Sequence, residues 1–239
     1  MLMNLAHRGA SAYAPETTLP SFYLGLQMGA TGLETDVKRT KDGVLVLFHD
    51  DTTARISAVD VNINETLYCD LLKIDLGSHK GEQYKGERIV RLEEFLMAFG
   101  GRDIDLAIEL KDSLVEQGTI SAIRRLVNDD SRLVITSFGY ENLVRCRQLD
   151  SEIKLGYLTD DCLDPTLDKA AQIGCVQICP RVDYIDAASV AHAKERGFVV
   201  RSWGNDMPEK MRQSLAYGCD GMTVNFPDLM VEAIKEMGL

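Results

Sequence analysis

Three carboxylates stand on two runs that alternate in the manner of β-strands. Side chains two apart on a strand point to the same face, so Glu34 and Asp36 share one face of the run Gly32–Lys38. In the run Asp103–Lys111, Glu109 lies on the face opposite the leucines and isoleucines. Carboxylates gathered at the ends of buried strands are stable only when they are paired or bind a cation. The pattern predicts that Glu34, Asp36 and Glu109 hold one hard divalent cation, Mg²⁺ or Ca²⁺.

Two of the four histidines end predicted strands. His7 closes the first strand and is followed by Arg8, and His49 closes a short strand extension. Imidazole titrates at about pH 6.5, so two histidines near a carboxylate cluster favour acid and base catalysis. The planar guanidinium of Arg8 suits phosphate oxygens. We interpret His7 and His49 as an acid–base pair, and we expect no catalytic role for His79 or His192.

A structural interpretation of the same residues stays open at this point. Glu109 has Lys111 two residues away on the same face, and Asp36 has Lys38 in the same relation. Each pair would then be an internal salt bridge that needs no metal. A single histidine at a strand end is also more often a hydrogen-bonded structural residue than a catalyst.

These residues lie on a regular alternation of short apolar runs and amphipathic stretches. The alternation is typical of βα units with a parallel sheet, and from the fourth run onward the starts lie 21 or 22 residues apart. Eight such runs predict a closed (β/α)8 TIM barrel, whose active site lies at the carboxyl ends of its strands. An open doubly wound sheet is the alternative, but no GxGxxG motif follows the first strand. The eight runs are Asn4–His7, Gly32–Lys38, Asp103–Lys111, Leu133–Phe138, Lys154–Thr159, Val176–Pro180, Phe198–Trp203 and Cys219–Asn225.

One interval is far longer than the others, because the second run begins at residue 32 and the third at residue 103. Within it we predict a strand extension at Val44–Phe48 and a helix around Leu92–Phe99. Between these two elements lies a polar segment with several glycines. The prediction is one TIM-barrel domain over residues 1–239 with a cap-like insertion at about 51–88.

The insertion begins directly after a candidate catalytic histidine, so it is expected at the active-site mouth. Its glycines and polar residues predict that it has no core of its own. We therefore expect it to act on substrate selection, with a wall around the alcohol part of the substrate formed by Tyr68, Tyr84 and His79.

Charge and composition narrow the partners of the chain. With 26 Lys and Arg against 37 Asp and Glu, the net charge is −11, which repels nucleic acid and anionic membranes but still admits a small phosphate-bearing substrate. No apolar run approaches 18 residues, and no signal-peptide pattern is present at the N-terminus. The six cysteines lack metal-ligand spacing and are expected to be reduced and mostly buried. We expect a cytoplasmic protein without stable membrane association, either a monomer or a homo-oligomer.

The order of short motifs resembles the glycerophosphodiester phosphodiesterase family. That family opens with His-Arg-Gly and Pro-Glu-Asn-Thr, continues with Glu-x-Asp and His-Asp, and carries Glu-x-Lys on the third strand. The chain departs at Thr17, where the family has Asn, an amide that both donates and accepts hydrogen bonds. The matching segments, in the same order, are His7–Gly9, Pro15–Thr18, Glu34–Asp36, His49–Asp50 and Glu109–Lys111, followed by Ser137–Phe138, Trp203 and Asn225–Asp228.

The resemblance implies metal-dependent hydrolysis of glycerophosphodiesters to glycerol 3-phosphate and an alcohol. It implies that Glu34, Asp36 and Glu109 hold one divalent metal, which neutralises charge on the phosphoryl group. It also implies that Arg8 and Lys111 bind the phosphate. The acidic composition favours small deacylated diesters as the substrate.

The resemblance also suggests how protons move. His7 is expected to act as the base and His49 as the acid, on opposite sides of phosphorus. In related barrel phosphodiesterases the attacking oxygen is thought to be a neighbouring hydroxyl of the substrate, which gives a cyclic phosphate first. Phe138 and Trp203 are expected to line the alcohol side of the pocket.

Two functions of other classes also remain open. A retaining glycosidase would use two inward carboxylates such as Glu34 and Glu109, but it leaves both strand-end histidines and Lys111 without a task. A non-catalytic barrel that binds a phosphate ligand is the other, and Thr17 is the only sign of it. The fold alone does not choose among these functions, because barrels host many chemistries.

Overall fold

Nine strands form one sheet in a computed structural model that describes residues 2–239. They are β1 Met3–His7, β2 Gly32–Arg39, β3 Leu45–Leu47, β4 Asp105–Leu110, β5 Leu133–Ser137, β6 Leu155–Leu158, β7 Gln177–Cys179, β8 Val199–Ser202 and β9 Gly221–Val224. All strands except β3 are parallel and follow one another in chain order, and the pairing of β1 with both β2 and β9 closes the ring. The predicted (β/α)8 barrel is confirmed.

The observed strands are the centres of the predicted runs. The first two extend one residue further than predicted, and the other six are shorter at their ends. The predicted extension after the second strand forms β3, which pairs antiparallel with the end of β2. The β2 backbone therefore pairs with the barrel strands β1 and β4 and also with β3, from which the insertion starts.

Nine helices are described, and eight of them cover the outside of the barrel. They are α1 Leu19–Gln27, α2 Tyr68–Leu71, α3 Leu92–Phe99, α4 Glu116–Leu126, α5 Tyr140–Leu149, α6 Asp164–Gln172, α7 Ala187–Glu195, α8 Pro208–Ala216 and α9 Pro227–Glu236, with α2 in the insertion. The predicted helix at residues 92–99 is confirmed as α3, whose Leu92, Phe95, Leu96 and Phe99 are buried. Their spacing places them on one helical face, and that face packs against the barrel.

The insertion contains an apolar core, contrary to the expectation from its composition. Its members belong to β3 and to the segment that follows, and they are Val46, Phe48, Ile56, Ile63, Leu71, Ile74, Leu76 and Ile89. The apolar residues are widely spaced in the sequence, so no helical or strand periodicity reveals them. Gly77 permits one close approach within this fold, because a Cβ atom there would lie 1.8 Å from the Tyr84 carbonyl oxygen.

All six cysteines are free thiols, and five of them are buried. Burial raises the pKa of the Cys146, Cys175 and Cys219 thiols to about 12. Cys175 precedes β7 rather than sharing a strand face with Cys179, although both side chains are buried. Among residues 2–239, no helix has the length and apolar character needed to cross a membrane.

Candidate active site

Strand register brings together the three predicted carboxylates, which lie on β2 and β4, beside the carboxyl end of β1. His7 on β1 pairs with Glu34 on β2, and Asp36 on β2 pairs with Glu109 on β4. One oxygen from each of the three carboxylates lies within 4.8 Å of the others. The alternation inferred from the sequence therefore places these side chains on the inner face of the barrel.

Burial makes this carboxylate cluster electrostatically unusual. Desolvation, followed by repulsion from Glu109, raises the pKa of Asp36 to about 6 against the opposing pull of nearby cations. Desolvation also raises the pKa of Glu34 well above its ordinary value, with repulsion from Asp36 and Glu109 adding to the effect. Both Asp36 oxygens are buried, yet neither has a hydrogen-bond partner within the described chain. Carboxylate oxygens left free in this way suit a divalent cation, so the donor set fits the predicted metal.

Two cations from the predicted set border the carboxylates. Arg8 Nε lies 2.9 Å from Asp36 Oδ2 without reaching hydrogen-bond geometry. Lys111 Nζ lies 2.9 Å from Glu109 Oε1 and 3.9 Å from Asp36 Oδ1. The Glu109–Lys111 salt bridge of the structural interpretation therefore exists. The Asp36–Lys38 pair does not, because Lys38 binds Asp51 and Asp112 and the cation beside Asp36 is Arg8.

A third cation, Arg201, was not among the residues predicted for the site. It is 1% exposed on β8, donates to Thr223 Oγ1 and, at 3.4 Å, to Cys179 Sγ, and lines the cavity. Its charge opposes the rise in the pKa of Glu34. The only sequence signal was an arginine within the apolar run Phe198–Trp203, two residues before the tryptophan.

The two predicted catalytic histidines line the same cavity, each with its Nδ1 atom held. His7 Nδ1 lies 2.6 Å from Asn225 Oδ1, an arrangement in which Nδ1–H donates and Nε2 is free to accept a proton. His7 Nε2 lies 3.8 Å from Glu34. Burial, followed by repulsion from Arg8, lowers the pKa of His7 to about 3, so its imidazole is neutral at physiological pH.

The second histidine is held by its neighbour in the sequence. His49 Nδ1 lies 2.6 Å from Asp50 Oδ1, a contact that orients the imidazole ring. The other two histidines lie outside the cavity lining. His192 is exposed and contacts Asp164, and His79 belongs to the insertion.

The cavity has a volume of about 330 Å³ and an aromatic corner. The rings of Phe138 and Trp203 meet edge to face at 5.3 Å, and Trp203 Nε1 donates to the Thr159 carbonyl at 2.9 Å. Lys111 Nζ lies 6.0 Å from the centre of the Phe138 ring, and the Arg181 guanidinium lies 5.3 Å from that of Trp203. Phe138 and Trp203 thus line the cavity, as expected from the sequence.

The insertion contributes less to the cavity than expected. Tyr68, Tyr84 and His79 do not line it, and neither does any other described residue of the range 51–88. The insertion instead docks beside the mouth, where Lys80 Nζ donates to the carbonyls of Ser11 and Ala12 at 2.7 and 3.2 Å. The expectation of an insertion wall was therefore wrong, because the apolar side chains of this segment fold against β3.

Thr17, the residue at which the chain departs from the family motif, has a strained backbone conformation. Thr17 is buried and has a φ of 57°, and it does not line the cavity. Its hydroxyl donates to the neighbouring Glu16 carbonyl at 2.7 Å. Asparagine tolerates this left-handed conformation well, whereas a β-branched side chain is strained there. The threonine of this chain therefore occupies a backbone conformation that asparagine would adopt with less strain.

Replacing Thr17 with asparagine is therefore expected to stabilise the protein. We expect the T17N variant to raise the free energy of unfolding by about 1 kcal/mol, the scale of left-handed backbone strain. Urea denaturation measures this change. The matched control is T66N, because Thr66 also donates to a backbone carbonyl but has an ordinary φ of −107°. Equal effects of the two substitutions would refute the strain at residue 17.

Taken together, these features define a class of protein. A parallel barrel bears, at the carboxyl ends of its strands, an acidic metal-type cluster, two histidines and cations suited to phosphate. These are the components of acid–base catalysis on a phosphate ester beside a divalent cation. The class is that of barrel enzymes that hydrolyse phosphoric esters.

Comparison with known proteins gives the family. The model of the glycerophosphoryl diester phosphodiesterase family matches residues 7–229. A glycerophosphodiester phosphodiesterase of Caldanaerobacter subterraneus is 30% identical over 98% of this chain and 98% of its own length. One from Bacillus subtilis is 28% identical over 98% of this chain and 87% of its own.

A solved structure agrees. The phosphodiesterase of Oleispira antarctica, in complex with the product sn-glycerol 3-phosphate, superposes with a TM-score of 0.88 and 29% identity, covering 97% of this chain and 96% of its own. The chain belongs to the glycerophosphoryl diester phosphodiesterase family, as its motifs indicated, and is an enzyme of that activity.

Proposed function

We propose that the protein hydrolyses small glycerophosphodiesters to glycerol 3-phosphate and an alcohol, with one divalent cation, Mg²⁺ or Ca²⁺. The observation that carries the proposal is the buried cluster of Glu34, Asp36 and Glu109, whose Asp36 oxygens accept no hydrogen bond within the described chain, in a cavity that two held histidines also line. These three carboxylates would hold the cation. When bound, a divalent cation neutralises charge that develops on the phosphoryl oxygens.

The cationic side chains of the cavity would bind the phosphate. Arg8 and Lys111 line the cavity and follow the carboxyl ends of β1 and β4, the two strands that flank β2. Their present partners, Asp36 and Glu109, would turn toward the cation, which leaves both positive charges available to phosphate oxygens. Phe138 and Trp203 would contact the alcohol part of the substrate through their exposed ring faces and edges.

Proton transfer would divide between the two histidines. We assign His7 as the base, because its contact with Asn225 and its lowered pKa keep Nε2 unprotonated. His7 would remove the proton of the attacking oxygen, a neighbouring hydroxyl of the substrate, as the alcohol leaves and a cyclic phosphate forms. Water would then open the cyclic phosphate to give glycerol 3-phosphate. We assign His49 as the acid by resemblance to related barrel phosphodiesterases. Asp50 orients its ring through Nδ1, and His49 would deliver a proton to the leaving alcohol.

The setting of this activity stays a prediction from the sequence. We propose one catalytic domain over residues 1–239, in the cytoplasm, with no nucleic-acid partner and no stable membrane association. Free thiols agree with a reducing compartment, and the net charge of −11 disfavours polyanions. A homo-oligomer remains an open alternative to the monomer.

The direct test is a panel of glycerophosphodiesters that differ in their alcohol, each assayed with Mg²⁺, with Ca²⁺ and with a chelator. We expect glycerol 3-phosphate as the common product and no turnover with the chelator. An aryl glycoside serves as the rival substrate. Hydrolysis of the glycoside that survives chelation would favour the glycosidase, and binding of the diesters without any turnover would favour the non-catalytic barrel.

Metal binding is expected to depend on pH in a defined direction. A carboxylate must lose its proton to bind a cation, and the raised pKa values of Glu34 and Asp36 mean that protons compete with the cation at higher pH than they do for ordinary carboxylates. Affinity for Mg²⁺ or Ca²⁺ should therefore rise from pH 5 to pH 8, with release of protons on binding. Titration calorimetry in two buffers of different ionisation enthalpy measures both quantities. Affinity that is constant over this range, with no proton release, would contradict the raised pKa values.

A further inference from the structure

One arginine of the insertion binds both sides of the catalytic mouth. Arg55 Nη1 donates to Glu16 Oε2 and Arg55 Nη2 to Glu16 Oε1, both at 2.7 Å. Arg55 Nε donates to Asp50 Oδ2 at 2.6 Å. All three guanidinium nitrogens thus bind carboxylates. Glu16 belongs to the loop after β1, and Asp50 follows β3. The planar fork of arginine suits this double contact, whereas a lysine ammonium does not.

Each of these carboxylates in turn holds a residue of the proposed machinery. Glu16 Oε1 accepts a hydrogen bond from Arg8 Nη1 at 3.1 Å, and Asp50 Oδ1 contacts His49 Nδ1 at 2.6 Å. The result is an unbroken series of contacts in the order Arg8, Glu16, Arg55, Asp50 and His49. Glu16 is 9% exposed, so its position depends strongly on its two arginine partners.

The charge of Glu16 is secured by the same contacts. Burial favours its neutral form, but the hydrogen bonds from Arg55 and the attraction of Arg8 and Arg55 outweigh burial and lower its pKa to about 2. The carboxylate is therefore ionised at every pH at which the enzyme would be assayed. Loss of Arg55 would leave Arg8 as the one cation bonded to this buried carboxylate within the described chain, and Arg8 would be drawn toward it.

The insertion fixes the backbone that carries Arg55. The next residue, Ile56, is buried in the insertion core, and its N–H donates to the Thr53 carbonyl at 3.1 Å. Thr53 is itself buried and donates to the Val59 carbonyl at 2.5 Å. The guanidinium thus extends from a folded turn, although half of its side chain is exposed.

We propose that Arg55 is a positioning residue that fixes the side chains of His49 and Arg8 relative to each other across the substrate phosphate. The proposal rests on the proposed function, which places those two residues at the leaving alcohol and at the phosphate. It also assigns the insertion a task other than forming a wall. The insertion delivers one guanidinium to the rim, which ties the acid to the phosphate-binding arginine.

The first test compares R55Q with the matched control R88Q. Arg88 is an arginine of the same insertion whose hydrogen bonds go to the backbone carbonyls of Ile74 and Glu87. We expect R55Q to lower kcat/KM by about 10²-fold, the scale of a misplacement near 1 Å, and R88Q to change it less than threefold. R55K should recover only part of the loss, since one ammonium cannot make both contacts. Thermal melting of each variant separates misalignment from unfolding.

The second test asks whether Glu16 and Asp50, the two carboxylates bound by Arg55, are energetically coupled through it. The substitutions E16Q and D50N are combined in the wild-type background and again in the R55Q background. Residues linked through a shared partner show non-additive effects, whereas independent sites add. We expect E16Q and D50N to be non-additive in the wild-type background and additive once Arg55 is replaced.

Binding of inorganic phosphate provides a readout that does not need turnover. We expect R55Q to weaken phosphate binding, because Arg8 is drawn toward Glu16, and R88Q to leave it unchanged. If wild-type protein turns over no phosphodiester, the proposed function fails while the phosphate measurement still tests Arg55. If R55Q matches R88Q in activity and in phosphate affinity, or if E16Q and D50N are additive in the wild-type background, the positioning role is overturned.

Discussion

Replacing His49 or His7 with alanine is expected to lower kcat by roughly 10²–10⁴, the usual contribution of a general acid or base. Each ring lines the cavity and is held at Nδ1, by Asp50 or by Asn225, so that Nε2 serves the substrate. Steady-state hydrolysis of a glycerophosphodiester measures the loss, and circular dichroism verifies the fold. H192A is the matched control and should retain full activity, because His192 lies on the outer helix α7, outside the cavity.

The leaving group distinguishes the acid from the base. The nitrophenolate of a nitrophenyl diester leaves without being protonated. With this substrate, H49A should therefore recover much more activity than H7A. Rescue of H7A in place of H49A would reverse the two assignments. If either variant loses less than tenfold in kcat with a glycerophosphodiester, that histidine is not part of the mechanism.

Removal of divalent metal is expected to abolish turnover and to lower the melting temperature. Three buried carboxylates converge, and the Asp36 oxygens accept no hydrogen bond within the described chain. A ligand that binds only the folded state stabilises it, by about 2.7 kcal/mol at 100 times its Kd. Activity and thermal melting are measured on protein treated with a chelator and again after Mg²⁺ or Ca²⁺ is restored. The variant D36N should lose both the activity and the stabilisation by metal.

The control for this experiment is D129N, which neutralises a carboxylate outside the cavity lining. It should keep its activity and its response to metal, so that any loss in D36N reports the cluster itself. Full turnover by protein whose lack of metal has been established by elemental analysis would falsify the metal site. Unchanged melting on addition of metal would likewise remove the cluster as a binding site.

Local periodicity made much of this architecture predictable. Eight apolar runs and their spacing determined the barrel, and alternation along β2 and β4 placed Glu34, Asp36 and Glu109 on the inner face. These inferences succeeded because each depends on residues close together in sequence and on a ring that fixes where strand ends meet.

Local pattern was a poor guide in the insertion. Its glycines and polar residues concealed a core assembled from widely spaced residues such as Ile56, Leu71 and Ile89. Such a core has no period along the chain, because irregular turns bring its members together. For the same reason the predicted wall of aromatic residues was misplaced.

The sequence by itself determined the fold, the inner face of β2 and β4, and the carboxylates and histidines that gather at the catalytic mouth. Tertiary structure alone decided which charges meet: Lys38 binds Asp112 and not Asp36, Arg201 enters the barrel from β8, and Arg55 joins Glu16 to Asp50. Long charged side chains reach partners from distant segments, and their choice depends on burial and on directions that no local pattern records. The barrel follows from short-range repetition, whereas the electrostatics of its active site follow from contacts that exist only once the ring has closed.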